Sequence, residues 1–218
     1  MSCLKKTMQV FLDLDETLIH SIPVSRLGWT KSKPYPVKPF TVQDAGTPLS
    51  VMMGSSKVVN DGRKRLATRL SLFKRTVLTD HIMCWRPTLR TFLNGLFASG
   101  YKINVWTAAS KPYALEVVKA LNLKSYGMGL LVTAQDYPKG SVKRLKYLTG
   151  LDTVKIPLSN MAIVDDREEV KRAQPTRAVH IKPFTASRSN TACSESDELK
   201  RVTASLAIIA GRSRSRRR

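Results

Sequence analysis

Residues 11–21 read Phe11-Leu12-Asp13-Leu14-Asp15-Glu16-Thr17-Leu18-Ile19-His20-Ser21. With Val10 before them, Phe11 and Leu12 form an apolar run that reads as a strand buried on both faces, the kind found in parallel sheets. Asp13 marks its carboxyl end. In an extended backbone the side chains of Asp13 and Asp15 point the same way. Two like charges held so close repel, and such a pair persists where a cation bridges it or one member holds a proton. Both conditions describe a reaction centre.

Further along the chain, strands and helices alternate. Arg86-Pro87 opens a helix with Leu89, Phe92, Leu93, Leu96 and Phe97 on one face and an end near Gly100. A strand follows at 102–106, then Ser110-Lys111-Pro112 starts a helix with Tyr113, Val117, Val118 and Leu121 inward. Leu130 to Val132 reads as a third strand, Ser141 to Leu148 as a helix, Met161 to Val164 as a fourth strand and Ala178 to Ile181 as a fifth. This order predicts an α/β fold, an open and mostly parallel sheet with helices on both faces, whose ligands bind beyond the carboxyl ends of the strands. Asp13 and Thr107 fall at such ends.

Residues 22–82 break the alternation. They are rich in Lys, Pro, Gly and Ser, with turn signals at Ala45-Gly46 and Asn60-Asp61-Gly62, and read as a small β-rich hairpin insert after the first strand. The main domain is expected over 1–184. A helical region is expected over 185–211, capped by Ser194 or Ser196 and stopped by Gly211, with Leu199, Val202, Leu206 and Ile209 inward. The remainder, 212–218, reads as a disordered basic tail.

The charge narrows the partners. Among 218 residues, 37 Lys and Arg stand against 16 acids, a net charge of +21, which calls for an anionic substrate or partner. Phosphorylated protein, nucleic acid and an anionic membrane surface all satisfy that total. No apolar run approaches the roughly 20 residues of a membrane span, and a start that passes directly into a strand argues against a cleaved signal peptide. Cys3, Cys84 and Cys193 are odd in number and form no CxxC pair, which points to a reducing compartment, nuclear or cytoplasmic rather than mitochondrial. The tail arginines are compatible with a nuclear-import signal or a nucleic-acid contact. His20, His81 and His180 lack ligand spacing.

A carboxylate can attack phosphorus and form an acyl phosphate if a cation offsets the repulsion between anions. Asp13 fits that nucleophile. Asp15 fits the group that protonates the leaving alcohol and then deprotonates the attacking water.

Asp13-Leu14-Asp15-Glu16-Thr17-Leu18 resembles the first signature of the haloacid dehalogenase (HAD) superfamily of phosphotransferases. The DLDETL form, followed by His20-Ser21, is similar to its FCP/SCP-like branch of RNA polymerase II carboxy-terminal-domain phosphatases. Arg86-Pro87 resembles that branch's RP element, and Val105-Trp106-Thr107-Ala108-Ala109 its second signature. Ser141-Val142-Lys143-Arg144-Leu145 and Ile163-Val164-Asp165-Asp166-Arg167 resemble the third and fourth. The resemblance spans about 8 to 184. It implies an aspartyl-phosphate on Asp13, phosphate binding by Thr107, Ala108 and Lys143, and charge neutralisation by Lys143, a role open also to Arg144 or Lys139. It further implies Mg²⁺ held by Asp13, Asp165, Asp166 and the backbone carbonyl of Asp15. A hard, oxygen-seeking ion suits that donor set.

The expectation is a Mg²⁺-dependent phosphoprotein phosphatase with a polymerase-tail-like substrate. Two alternatives stay open: a phosphatase of nucleic-acid ends, which +21 would also favour, and a non-catalytic binding module like the import-receptor relatives. The latter typically lack a motif acid, whereas Asp13 and Asp15 are both present.

Overall fold

The opening apolar run forms strand β1 (Gln9–Leu12), with three of its four residues buried. The computed structural model describes residues 7–29, 40–45, 61–151, 156–187 and 192–215. Strand β1 sits in the middle of a five-stranded sheet with β6 (Lys102–Trp106), β7 (Leu131–Val132), β8 (Met161–Asp165) and β9 (Ala178–His180), in the order β7-β6-β1-β8-β9. Every pairing in it is parallel.

The two-residue alternation of β1 sorts its side chains between two cores. Val10 and Leu12 join the larger cluster, to which α2 (Leu89–Ala98), α3 (Lys111–Ala120) and α6 (Ala192–Ser215) contribute. Phe11 joins the other, with α4 (Leu145–Thr149) and α5 (Glu168–Ala173). Helices therefore cover both faces, as a parallel sheet requires. Because β1 pairs with both β6 and β8, the winding of the sheet reverses beside it. That reversal opens a crevice beyond the carboxyl ends of the strands.

The insert carries its own sheet. Strands β2 (Ile19–Pro23), β3 (Val42–Gln43), β4 (Arg75–Val77) and β5 (His81–Trp85) pair antiparallel in the order β2-β5-β4-β3. Helix α1 (Asp61–Leu70) packs Ala67 and Leu70, with Leu66 beside them, against Ile22, Ile82 and Cys84. A hairpin reading of this region is thus incomplete. Asn60-Asp61-Gly62 leads into a helix, since the apolar positions 66, 67 and 70 form one stripe that the sheet can bury. The Ala45-Gly46 signal falls at the edge of the described residues.

Three further expectations are corrected. The helix expected from Ser141 covers only Leu145–Thr149, and Arg144 before it is extended at φ −119° and ψ 119°. Phe97 is 53% exposed and meets Tyr126 edge-on instead of filling the core. Helix α6 begins at Ala192, ahead of both Ser194 and Ser196, and runs through Gly211 to Ser215. Gly211 does not adopt the left-handed backbone that makes glycine a helix stop, unlike Gly100 after α2. The inward face of α6 is as expected, with Leu199, Val202, Leu206 and Ile209 buried. Residues 216–218 of the tail lie outside the described residues.

A buried ion pair joins the last helix to the body of the domain. Arg86 (1% exposed) donates from Nε to Glu195 of α6 (2% exposed), from one terminal nitrogen to the Thr17 carbonyl at 2.8 Å, and from the other to the Lys182 carbonyl at 2.8 Å. The C-terminal helix is thereby tied to the loop that follows Asp15.

Candidate active site

Register assembles the crevice. Leu12 lies opposite Val164, and the Asp13 amide donates to the Val164 carbonyl at 3.0 Å, so Asp13 comes level with Asp165. Leu12 also lies opposite Val105, which puts Thr107 one residue beyond Asp13 on the adjacent strand. The first and fourth apolar strands thus deliver their polar ends to one place.

The cation that an acidic pair requires is Lys143. Its Nζ stands 2.6 Å from Asp13 Oδ1 and 2.7 Å from Asp165 Oδ2. Lys143 is fully buried, whereas Arg144 and Lys139 are exposed, so among the three basic residues only Lys143 reaches the acids. It bridges Asp13 to Asp165 and not Asp13 to Asp15. The non-helical backbone at 141–144 carries it there, and the Gln174 side chain holds the segment by donating to the Lys143 carbonyl at 2.8 Å.

Asp13, Asp165 and Asp166 offer carboxylate oxygens within 4.8 Å of one another. Burial pushes the Asp13 carboxyl up to about 7; the Lys143 charge opposes this and the Asp165 charge adds to it. Burial also raises Asp166, with Asp165 reinforcing the shift. Carboxylates whose charged forms are penalised by desolvation and by one another suit a hard divalent cation. The two oxygens of Asp165 are already engaged. Oδ2 accepts from Lys143, and Oδ1 accepts from the Arg167 amide at 3.0 Å and Arg167 Nε at 3.3 Å. Asp166 Oδ1 accepts from the Thr17 hydroxyl at 3.2 Å. The donor set therefore fits a cation, with Asp13 and Asp166 the more available ligands.

The Asp15 side chain lies outside that cluster. The chain turns sharply after it, with Glu16 at φ 59° and an isolated bridge from Asp15 to Ile19. Its Oδ1 accepts from the Tyr113 hydroxyl at 2.6 Å, and Ser21 Oγ lies 2.6 Å from the same phenol oxygen. One phenolic proton serves one acceptor, so Ser21 donates to Tyr113 while Tyr113 donates to Asp15. Burial raises the Asp15 pKa, and the Tyr113 hydrogen bond tempers the rise. Thr107 is 1% exposed and its hydroxyl accepts from the Ala109 amide at 3.1 Å. Ala108 between them is exposed.

Sequence reading placed Tyr113 as a core residue of α3 and assigned no role to Thr17 or Arg167. The signal for Tyr113 lay in its type: a buried phenol near a helix start seeks a partner for its hydroxyl. Tyr113→Phe should leave the fold intact and lower turnover of a phosphomonoester about tenfold, the value of one hydrogen bond to a charged group. Steady-state kinetics with a circular dichroism control checks this.

A family model described as NLI interacting factor-like phosphatase matches residues 8–214, further than the 8 to 184 read from the motifs. The chain is 97% identical over 209 residues to "uncharacterized protein 037R" of Frog virus 3 (isolate Goorha), covering 96% of this chain and 100% of that protein. It is 32% identical over 146 residues to 355R of Invertebrate iridescent virus 3, described as CTD phosphatase-like, covering 59% of this chain and 76% of that one. Among solved structures, Fcp1, an essential RNA polymerase II CTD phosphatase, superposes with a TM-score of 0.51 at 18% identity over 92% of this chain. The match spans 49% of the Fcp1 chain, about half its length. That likeness concerns the fold alone.

Proposed function

Because this chain belongs to the family of NLI interacting factor-like phosphatases, we propose that it is a Mg²⁺-dependent phosphatase of phosphoserine or phosphothreonine in protein. The observation that carries the reading is the buried Lys143 held between Asp13 and Asp165, with Asp166 beside them, at the carboxyl ends of β1 and β8.

In this reading an Asp13 carboxylate oxygen attacks phosphorus as the bond to the serine or threonine oxygen breaks. Asp15 gives its proton to the departing alkoxide, and burial shifts its pKa in the direction a proton donor needs. Water then attacks the phosphorus of the aspartyl-phosphate and Asp15 takes its proton. The P–O bond to Asp13 breaks, the Asp13 carboxylate is regenerated and inorganic phosphate leaves. Lys143 offsets charge on Asp13 and on the phosphoryl oxygens throughout, while Thr107 and the turn at Ala108 offer a hydroxyl and amides to those oxygens. Mg²⁺, held by Asp13 and Asp166 with the Asp15 carbonyl, would supply Lewis-acid neutralisation of the phosphoryl charge. Asp165 then serves chiefly to fix Lys143.

A polymerase-tail-like phosphopeptide is the proposed substrate, in line with the CTD phosphatase-like description of 355R and with the positive charge of this chain. The test measures phosphate release from a phosphoserine peptide and from a 5′-phosphorylated oligonucleotide, with Mg²⁺ and with chelator. Peptide turnover that disappears with chelator is expected. Turnover of the oligonucleotide alone, or of neither, would overturn the assignment.

A further inference from the structure

The positive charge is unevenly spread. Residues 22–82 carry eleven Lys or Arg against three acids, Asp44, Asp61 and Asp80. On α1 and the turn after β2, this excess lines a groove of about 880 Å³ formed by Arg26, Lys64, Arg65, Leu66, Thr68 and Arg69. Among the described residues no carboxylate lines it, and none of its four cations is in an ion pair. Arg26, Lys64 and Arg65 are exposed. Arg69 Nε is buried with no hydrogen-bond partner among the described residues, a state that costs desolvation unless a ligand supplies an acceptor. Gly28, at φ 87°, leaves room for the Arg63 guanidinium to lie over it, where a Cβ would stand 2.6 Å from a terminal nitrogen.

The groove lies across the edge strand β2 from the reaction centre: Ser21 faces Tyr113 and Asp15, whereas Ile22, and with it His20, faces α1. Asp15 bridges to Ile19, so His20 is within about 10 Å of Asp15. Burial first, and then the charges of Arg69 and Arg26, hold the His20 imidazole below its ordinary pKa.

We propose that this groove is a docking site for phosphoryl groups of a multiply phosphorylated polypeptide, engaged while another phosphoryl group of the same chain occupies the crevice at Asp13. The proposal rests on the phosphoprotein reading above. Four clustered cations without a lining acid favour an anion, and guanidinium groups pair with phosphate in bidentate fashion. Among the described residues no aromatic ring lines the groove. Single-stranded nucleic acid would want such rings for base stacking, which favours a phosphopeptide. An extended peptide laid over the edge strand β2 can reach from the groove to the crevice.

The test uses the Lys64→Glu/Arg65→Glu variant of the full chain, checked by circular dichroism, with Arg65→Gln as a milder second variant. In an Asp13→Asn background, fluorescence anisotropy compares a peptide bearing several phosphoserines with one bearing a single phosphoserine. Affinity for the multiply phosphorylated peptide should fall about tenfold, and less in Arg65→Gln, while the singly phosphorylated peptide is unaffected. With Asp13 restored, KM for the multiply phosphorylated peptide should rise by a similar factor at unchanged kcat. Equal losses for both peptides, no loss, or a larger loss for a single-stranded RNA oligonucleotide would overturn the proposal. The binding arm decides even if no phosphopeptide is hydrolysed, which would sink the phosphoprotein reading separately.

Discussion

Asp13→Asn should lower phosphomonoester hydrolysis by at least about 10⁴-fold, since removing a covalent nucleophile leaves only binding and charge stabilisation. The amide nearly matches the carboxylate in volume, and the change removes a buried acid whose pKa burial pushes up to about 7. Stability should therefore fall little. Two effects compete: the lost ion pair with Lys143 at 2.6 Å destabilises, and relief of the desolvated charge stabilises. Lys143 keeps Asp165 at 2.7 Å, so its ammonium remains paired. Phosphate release by the purified variant, with thermal unfolding alongside, separates the two quantities. Retention of more than a few per cent of activity would remove Asp13 from the chemistry.

Glu195→Ala carries the largest expected cost in stability. Arg86 and Glu195 are 1% and 2% exposed, and deleting one member of a buried pair leaves an uncompensated charge, at a cost of about 3–5 kcal/mol. For a domain of this size the melting temperature should drop by roughly 10 °C. The double variant Arg86→Met/Glu195→Leu should recover much of that loss, because no lone charge is left inside. Activity should fall with the single change as well, even well below the transition. Arg86 also holds the Thr17 carbonyl, and the Thr17 hydroxyl donates to Asp166. Calorimetry of both variants, with activity assayed at low temperature, provides the check.

The parts of this protein legible in its sequence are those where local pattern and global fold agree. Strands β1 and β8 are apolar runs and β6 a largely apolar one, leading into Asp13, Asp165 and Thr107, and hydrophobicity together with the polar residue at the end locates both strand and site end. Lys143 was different. In a chain with 37 basic residues no composition singles out one lysine, and only its motif did so; its burial between two acids is a fact of tertiary packing. Tyr113 was read by periodicity as core, and periodicity cannot say that a phenol on α3 meets Asp15 from the other end of the chain.

The misread elements share a cause. Helix α1 hides its stripe of Leu66, Ala67 and Leu70 among charges behind a turn-like Asn60-Asp61-Gly62, and tertiary burial overrides the local signal. At Gly211 the reverse holds: glycine in a helix interior costs only about 1 kcal/mol, so without a left-handed backbone it does not end α6. The short α4 follows from the demand on Lys143, whose segment serves the crevice before it serves a helix.

The place of β1 between β6 and β8 has a consequence for synthesis. Gln9 pairs with Met161 in the sheet, so a nascent chain emerging from the ribosome holds β1 with one edge bare until residue 161 has been made. Contacts so distant in sequence close slowly, and an open apolar edge is sticky meanwhile. Chains interrupted before residue 161 should accordingly be insoluble and inert, whereas those that reach Asp166 gain the acidic cluster only at the last stage of assembly.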